Sequence, residues 1–364
     1  MPSTSPNVRK RVESFCHRFL LRVPILLAPM AGASLPPLSI AVGQAGGLGA
    51  CGTLLMSPEE IIDWVQSVRA SGTGAFQLNN WIPGQKARRD PLHEAELCTF
   101  LACWGPAVTP EVADAARPNF EAQCEAMLAA RPPVISSIMG LYPPHYVREL
   151  KREGVAWFAT VSTVAEARQA EEAGADALIA QGMEAGGHRG CFDPDAAEAQ
   201  LVGLIALLPA IVDAVKIPVV ATGGIADGRG IAAALLLGAS AVQIGTGFLR
   251  CPEAQIHPAW VAALAQCAPE DTVVTRAFSG RAGRAIATDY VRAATSAGAP
   301  AAAPYPIQRA LTAPMRRAAS REGDVQRMQV WAGQSAQLAP VLPAGQWVDR
   351  LWHEAQQLLS TGWG

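Results

Sequence analysis

Short runs of apolar residues alternate with longer segments of mixed apolar and polar residues along most of the chain. Such short runs are typical of buried strands, and the amphipathic segments between them have the length of crossover helices. The predicted strands are Pro24–Ala28, Leu48–Ala50, Ala75–Asn79, Val134–Met139, Ala156–Val161, Ala177–Ala180, Pro218–Ala221 and Ala241–Ile244. Parallel strands joined by helices predict an α/β protein with the (β/α)8 TIM-barrel fold, and a doubly wound open sheet is the alternative.

Predicted helices fill most intervals between these strands. They are Pro58–Ala70, Pro144–Glu153, Val164–Ala173, Ala199–Val215 and Gly230–Leu237. Residues 81–132 instead form a long connection after the third strand, with one helix at Pro118–Ala130. Long connections of this kind are often functional.

The chain beyond Phe248 leaves the strand–helix repeat. It is irregular through Arg276–Arg284, passes through an Ala- and Pro-rich linker, and continues in predicted helices at Gln308–Arg317 and Asp324–Ala339 before the final segment Trp347–Leu359. We predict a ligand-binding (β/α)8 barrel in residues 1–250 and a small, mainly helical cap or substrate domain in residues 251–325. Residues 326–364 are predicted to return to the barrel as C-terminal helices.

The composition argues against several classes of protein. Half of the 364 residues are hydrophobic, and a formal net charge of −2 without a long basic run argues against nucleic-acid binding. No apolar segment reaches the roughly 18 residues of a membrane span, and the N-terminal residues lack a signal-peptide pattern. The eight cysteines include no C-x-x-C pair, and Cys191 near His188 lacks further ligands, so we expect reduced thiols and no metal site. These features favour a cytoplasmic protein, monomeric or homodimeric.

One histidine follows a glycine-rich turn directly after a predicted strand, in Gln181-Gly-Met-Glu-Ala-Gly-Gly-His188-Arg-Gly190. Glycines let the backbone approach a flat ligand closely, and an imidazole can exchange protons near neutral pH. His188 is therefore a candidate catalytic residue at the C-terminal end of the sixth strand. A tight loop with a solvated histidine is the simpler alternative.

The last two predicted strands also end in glycine turns. Pro218–Ala221 runs into Thr-Gly223-Gly224-Ile-Ala-Asp, and Ala241–Ile244 runs into Gly245-Thr246-Gly. Backbone N–H groups and a helix N-terminus at this place in a barrel can hold a phosphate. Ordinary turns between helices and strands are the alternative.

Amide side chains complete a candidate cofactor site. Phe76-Gln-Leu-Asn79 and Gln181 place amides at strand ends, where they can reach the carbonyl and N–H groups of a ring. No G-x-G-x-x-G motif follows the first strand, so a planar heterocycle with one phosphate fits better than a dinucleotide. This pattern indicates FMN, although the strand-end amides could instead satisfy a loop.

Together these segments resemble the nitronate monooxygenase family, formerly called 2-nitropropane dioxygenases. The resemblance covers roughly residues 22–340, with later matches at Phe278-Ser-Gly-Arg281 and Trp331-Ala-Gly-Gln334. The matching motifs in the barrel are Ala28-Pro-Met-Ala-Gly32, Phe76-Gln-Leu-Asn79, Gln181–Gly190, Ala221-Thr-Gly-Gly-Ile-Ala-Asp-Gly228 and Gln243-Ile-Gly-Thr-Gly247.

The resemblance implies a catalytic base at His188 and an FMN cofactor. Its implied FMN contacts are Asn79, Gln181, Gly186, Gly223, Gly224, Gln243, Gly245 and Thr246, with Met30 near the ring edge. The implied reaction is oxidation of an alkyl nitronate by O₂ to a carbonyl compound and nitrite, without a nicotinamide.

Two departures from the family pattern bear on the substrate. Relatives often carry a histidine in the fourth strand at the position of Ile138, and a second tyrosine in the cap near Arg309, whereas Tyr305 is kept. Tyr305 and Arg309 are four residues apart, so a helix would place them on one face. Ile138, Tyr305 and Arg309 are therefore candidate substrate residues, and a solvated arginine beside a packing tyrosine is the alternative.

Two other functions remain open from the sequence. The same superfamily includes NAD(P)H-dependent FMN reductases of enoyl thioesters or quinones, and the cap sequence does not exclude a nicotinamide groove. A non-catalytic protein that binds FMN or another phosphate ligand is a rival of a different class. Simple retention of FMN does not require a protonatable group such as His188, which argues against that rival.

Overall fold

The computed structural model describes residues 8–115 and 117–360 and contains a parallel barrel of eight strands. The sheet has the order β1-β9-β8-β6-β5-β4-β3-β2, and a bridge between Leu26 and Leu48 joins its first and last strands. All eight predicted strands are thus confirmed, and the open-sheet alternative is wrong. The barrel strands are β1 (Ile25–Leu27), β2 (Gly49–Gly52), β3 (Phe76–Trp81), β4 (Val134–Ile138), β5 (Ala156–Val161), β6 (Ala177–Gln181), β8 (Val219–Thr222) and β9 (Ala241–Ile244).

Helices pack around this barrel, and several begin at the caps that their sequences provide. Ser57 and Glu60 form a capping box at the start of α3, and Asp227 accepts a hydrogen bond from the Gly230 amide at the start of α9. The first part of the chain contains α1 (Val8–Arg18), α2 (Pro36–Gln44), α3 (Pro58–Ala70), α4 (Pro91–Ala102), α5 (Phe120–Ala129), α6 (Pro144–Arg152), α7 (Val164–Glu172), α8 (Leu204–Ala214) and α9 (Gly228–Leu236). None of the helices in residues 8–115 and 117–360 is long and apolar enough to span a bilayer.

A second layer lies over the carboxyl ends of the strands. It contains a small antiparallel sheet of β7 (Gly187–His188), β10 (Thr272–Thr275) and β11 (Gly283–Ile286), and the helices α10 (Pro258–Gln266), α11 (Asp289–Ala294), α12 (Ile307–Leu311) and α13 (Ala313–Glu322). Leu97 and Leu101 of α4 share one apolar cluster with Phe278, Tyr290 and Met315. The long connection after β3 therefore belongs to this layer. The division of the chain at residues 250 and 325 stays a prediction.

The predicted helix at Asp324–Ala339 is wrong. Met328, Val330 and Ala332 are buried while the residues between them are half-buried, which is the alternation of an extended segment. Trp331 pairs with Ala285 of β11 in an isolated bridge, and a short 3₁₀ turn follows at Ala336–Leu338. The alanines and glutamines suggested a helix, but pairing with the small sheet determined the conformation. The chain then ends in α14 (Ala344–Ser360), which packs on α9 and α2.

The predicted helix at Gln308–Arg317 is divided in two. Helix α12 ends and α13 begins at Thr312, whose hydroxyl donates to the carbonyl of Phe278 at 2.7 Å. Tyr305 precedes α12, because that helix begins at Ile307. Tyr305 and Arg309 therefore do not share one helix, as their spacing had suggested.

Candidate active site

Two adjoining cavities open at the carboxyl ends of the barrel strands, where active sites of this fold lie. The inner cavity, of about 350 Å³, is lined by the turn that follows β1, by residues from β3, β4, β5, β6, β8 and β9, and by the segment around Trp331. The outer cavity, of about 910 Å³, lies under the second layer. Trp81, Arg309 and Arg316 line both cavities. Both volumes fall within the range of small-molecule sites.

The end of the inner cavity near β8 and β9 has the form of an anion cradle. Gly223 and Gly224 have φ angles of +112° and +69°, which favour glycine. The amide N–H groups of Gly224, Gly245 and Thr246 donate no hydrogen bond within the described part of the chain. Free N–H groups at the turn before α9 can bind a phosphate. The predicted phosphate residues thus lie together.

Close backbone packing accounts for one predicted glycine. A Cβ atom on Gly186 would lie 2.5 Å from the amide nitrogen of Gly333 and 2.7 Å from the Thr246 hydroxyl oxygen. That same hydroxyl accepts a hydrogen bond from the Gly333 amide at 3.0 Å. Gly186 and Thr246 both line the inner cavity, and both also hold the segment that carries Trp331 against the barrel.

Among the amide side chains that line the inner cavity, Asn79, Gln181 and Gln243 differ in their hydrogen bonds. Asn79 donates to the Ser136 hydroxyl at 3.0 Å, and Gln243 accepts from Gln77 at 3.0 Å. The Nε2 group of Gln243 has no acceptor among residues 8–115 and 117–360, so it can donate to a ligand. Gln77 itself is fully buried and orients Gln243 rather than facing the cavity.

Gln181 holds the loop that carries His188. Its Nε2 group donates to the His188 carbonyl at 3.0 Å, and its Oε1 atom accepts from the Gly190 amide at 2.7 Å. Arg189 strengthens the same loop, because its guanidinium donates to the Gly182 carbonyl at 2.7 Å and to the Gln181 carbonyl at 3.3 Å. Glu184 accepts from the Leu204 amide at 2.8 Å, which supports a structural role for that carboxylate.

The imidazole of His188 lines the inner cavity between two indole rings. Its centroid lies 4.7 Å from that of Trp81 and 4.7 Å from that of Trp331. Its Nε2 atom lies 2.8 Å from the Ser279 hydroxyl oxygen. His188 is also held through its backbone, because strand β7 pairs with Gly283 of β11. The ring is therefore fixed in orientation.

Three guanidinium groups give this site a positive potential. Arg281 contacts the Met139 sulfur, and Arg316 donates to Gln329 at 2.8 Å, but neither forms a salt bridge within the described residues. Arg309 has neither a hydrogen-bond acceptor nor a carboxylate for its guanidinium among those residues. Burial, and then Arg309, lower the pKa of Arg316 to about 9. All three are half-buried, and half-buried cations without counter-ions indicate an anionic ligand.

The same surroundings keep His188 neutral. Burial, and then the charges of Arg281, Arg309 and Arg316, lower the pKa of His188 to about 3. Because the pKa lies below its ordinary value of about 6.5, the imidazole is uncharged at neutral pH and has a free lone pair on one nitrogen. A neutral imidazole beside cations can accept a proton from a bound acid.

The structure brings most of the predicted site residues together. Lining the inner cavity are Met30, Asn79, Ile138, Gln181, Gly186, His188, Gly223, Gly224, Gln243, Gly245, Thr246 and Arg309. Tyr305 lines the outer cavity and lies 5.4 Å from Trp81, between ring centroids. A cavity with free amides at one end and a side-chain amide donor beyond them fits a flat ring that carries a phosphate.

Sequence reasoning missed several residues of this site. Those around His188 that were not identified as site residues are Trp81, Ser279, Arg281, Arg316 and Trp331. Trp81 is the last residue of the amide-rich strand β3, and this position could have indicated it. The others lie far from the barrel motifs in sequence, and only the second layer brings them to the cavity.

Comparison with known proteins identifies similar chains along nearly the whole length. The family model described as nitronate monooxygenase matches residues 13–354. The chain is 38% identical to a nitronate monooxygenase of Paraburkholderia phytofirmans over 342 residues, which are 92% of each protein. It is 34% identical to a probable nitronate monooxygenase of Staphylococcus aureus, covering 93% of this chain and 96% of that protein.

Two solved structures are also similar. Nitroalkane oxidase from Streptomyces ansochromogenes matches with a TM-score of 0.85 and 36% identity, covering 95% of this chain and 100% of that one. FabK from Thermotoga maritima matches with a TM-score of 0.74 and 30% identity, covering 95% of this chain and 96% of that one.

Proposed function

Because the chain belongs to the nitronate monooxygenase family and is an oxidoreductase, we propose that it oxidises alkyl nitronates with O₂ to a carbonyl compound and nitrite, with FMN as cofactor. The observation that carries this proposal is the position of His188. It is a neutral imidazole in a cavity that has an anion cradle and is lined by the guanidinium groups of Arg309 and Arg316, which have no carboxylate partner in the described part of the chain.

The residues that would hold FMN follow from the inner cavity. Gly224, Gly245 and Thr246 offer free N–H groups to its phosphate, and the Nε2 group of Gln243 offers a donor to its ring. Met30 lines the same cavity with an apolar surface. When bound there, FMN would supply the redox chemistry between the nitronate and O₂.

Arginines at the junction of the two cavities would bind the anionic substrate. A nitronate carries its charge on the nitro-group oxygens, and a guanidinium forms charge-assisted hydrogen bonds with such oxygens. Arg309 is suited to this role because its guanidinium has no partner in residues 8–115 and 117–360. Arg316 is held by Gln329 and Thr312 and would add positive potential.

His188 would act as the proton acceptor when the substrate is a neutral nitroalkane. The C–H bond at the carbon next to the nitro group breaks, its electron pair remains on the carbon and nitro group as the nitronate, and the proton moves to an imidazole nitrogen. A preformed nitronate has already lost this proton. For that substrate His188 only contributes to binding and position.

Nitrite release tests the proposal directly. The purified protein, containing FMN, is mixed with a preformed alkyl nitronate and air in the absence of NAD(P)H, and nitrite and O₂ consumption are measured. We expect both to follow the enzyme concentration, and FMN to be released on heat denaturation. No nitrite under these conditions, together with rapid bleaching of the flavin by NAD(P)H without O₂, would show a nicotinamide-dependent reductase instead.

A further inference from the structure

The contact between Ser279 and His188 determines which imidazole nitrogen carries the proton. We propose that Ser279 holds neutral His188 with its hydrogen on Nε2, so that Nδ1 is the proton-accepting atom in the cavity. Ser279 is then a positioning residue that acts through His188. The inference rests on the proposed function only for its catalytic consequence, because the protonated nitrogen can be observed without turnover.

Ser279 has one hydroxyl hydrogen, and its neighbours decide where that hydrogen points. The Ser279 hydroxyl oxygen lies 3.2 Å from the Arg281 carbonyl oxygen, and the Arg281 amide donates to the hydroxyl oxygen at 3.3 Å. The Arg281 carbonyl has no other donor within the described part of the chain. If the hydroxyl donates to this carbonyl, it can only accept from His188, at 2.8 Å. Nε2 must then carry the hydrogen.

The opposite arrangement leaves more groups unsatisfied. If the hydroxyl donated to Nε2, the Arg281 carbonyl would lose its donor, and the imidazole hydrogen would be on Nδ1. Nδ1 has no acceptor among residues 8–115 and 117–360. An unmet donor and an unmet carbonyl both cost free energy. With the hydrogen on Nε2, the only free group is the Nδ1 lone pair.

Charged neighbours favour the same neutral ring. Arg281, Arg309 and Arg316 are the charged groups that act on His188, and Tyr305 lies beyond Trp81. These charges disfavour the doubly protonated ring. The neutral ring therefore carries one hydrogen, either on Nδ1 or on Nε2. Ser279 is fully buried, so water does not compete for its hydroxyl.

The arrangement matches the general requirement that a third group orients a catalytic base. When a nitroalkane loses its α-proton, the C–H bond breaks, an Nδ1–H bond forms, and the electron pair stays with the nitronate. The imidazolium then donates from Nε2 to Ser279, whose oxygen remains an acceptor. The Nδ1 proton leaves to solvent after the product departs.

Nitrogen NMR of the holoprotein with ¹⁵N-labelled histidine tests the assignment. The chain has six histidines, and the signal lost in His188→Asn identifies the residue. We expect Nε2 of wild-type His188 to show a pyrrole-type shift and Nδ1 a pyridine-type shift at neutral pH. Ser279→Ala should mix the two forms, Ser279→Thr should restore them, and Ser296→Ala, at an exposed serine, should change nothing.

Kinetics supply the second measurement. Ser279→Ala should lower kcat for a neutral nitroalkane by roughly 2- to 10-fold, the effect of one neutral hydrogen bond, with KM nearly unchanged. Turnover of the preformed nitronate should change little. A pyridine-type Nε2 in the wild-type spectrum would overturn the proposal, as would an unaltered spectrum in a folded Ser279→Ala variant. Neither result depends on nitrite formation, so the proposed function can stand or fail separately.

Discussion

Replacing His188 with asparagine should separate two substrates that differ by one proton. A neutral nitroalkane must lose its α-proton before electrons can leave it, whereas the matching nitronate has already lost it. General-base catalysis contributes about 10²- to 10⁴-fold, so His188→Asn should lower kcat/KM for the nitroalkane by that order. Asparagine keeps polar atoms near the ring position, and kcat/KM for the nitronate should fall far less.

The lowered pKa of His188 predicts a second measurable effect, on the pH dependence of nitroalkane turnover. At pH 5 an imidazole with a pKa of about 3 is roughly 1% protonated, whereas one with an ordinary pKa of about 6.5 is roughly 97% protonated. The lowered pKa keeps the base form at lower pH. The nitroalkane kcat/KM of the wild type should therefore be flat from pH 8 to pH 5, rather than fall about 30-fold.

The assay is initial-rate nitrite release for a nitroalkane and its own nitronate, with FMN content measured for each variant. His145→Asn is the matched control, because His145 is exposed on α6 and lines neither cavity. Equal losses on both substrates with FMN still bound would make His188 a binding group and refute its role as base. A wild-type profile that falls with an apparent pKa near 6.5 would refute the electrostatic argument.

Three further substitutions test other parts of the site. Arg309→Gln should lower kcat/KM for nitronates by roughly 10- to 100-fold, as expected for a lost hydrogen bond to a charged group. Arg317→Gln, at an exposed position, should leave kcat/KM unchanged, and the same kcat/KM in both variants would exclude Arg309 from the substrate site. Gly224→Asp should abolish retention of FMN, measured by gel filtration and absorbance. Gly224→Ala is the control, because it adds the same Cβ atom, 3.1 Å from that of Glu184, without a charge; equal FMN retention in both variants would show that the phosphate does not bind at Gly224. Ile138→His should change kcat/KM more for a carboxylated nitronate than for a simple alkyl one, and equal changes would mean that position 138 does not contact the far end of the substrate.

The barrel was predictable because its strands are buried on both sides. Ile25, Leu26 and Leu27 are fully buried, and runs of this kind have few other stable conformations in a chain of alternating strands and helices. Asp324–Ala339 was not predictable in this way. Its backbone is determined by contacts distant in sequence, above all the bridge from Trp331 to Ala285 and the bond from Gly333 to Thr246. Local propensity carries no information about such partners.

The site residues also divide into those with a local sequence pattern and those placed by tertiary contacts. Gly223, Gly224 and His188 were found because glycine turns directly after buried strands have a local pattern. Ser279, Arg281 and Trp331 were not, because each reaches the cavity only through the small sheet of β7, β10 and β11. Strand β7 has two residues, too short to produce an alternation in sequence. The glycine-rich half of the site is thus encoded locally, and the half that surrounds His188 depends on tertiary contacts.

The arginines around His188 should affect a nitronate and a neutral nitroalkane differently. Arg281, Arg309 and Arg316 lower the pKa of His188, and the same charges attract an anion. A bound nitronate would offset part of their charge and raise the pKa of His188, whereas a neutral nitroalkane would leave that pKa low. The arginines that favour nitronate binding therefore make His188 a weaker base towards the neutral acid. Removing Arg309 would weaken the proposed nitronate binding and raise the basicity of His188, so Arg309→Gln should lower kcat/KM for the nitronate and raise it for the neutral nitroalkane.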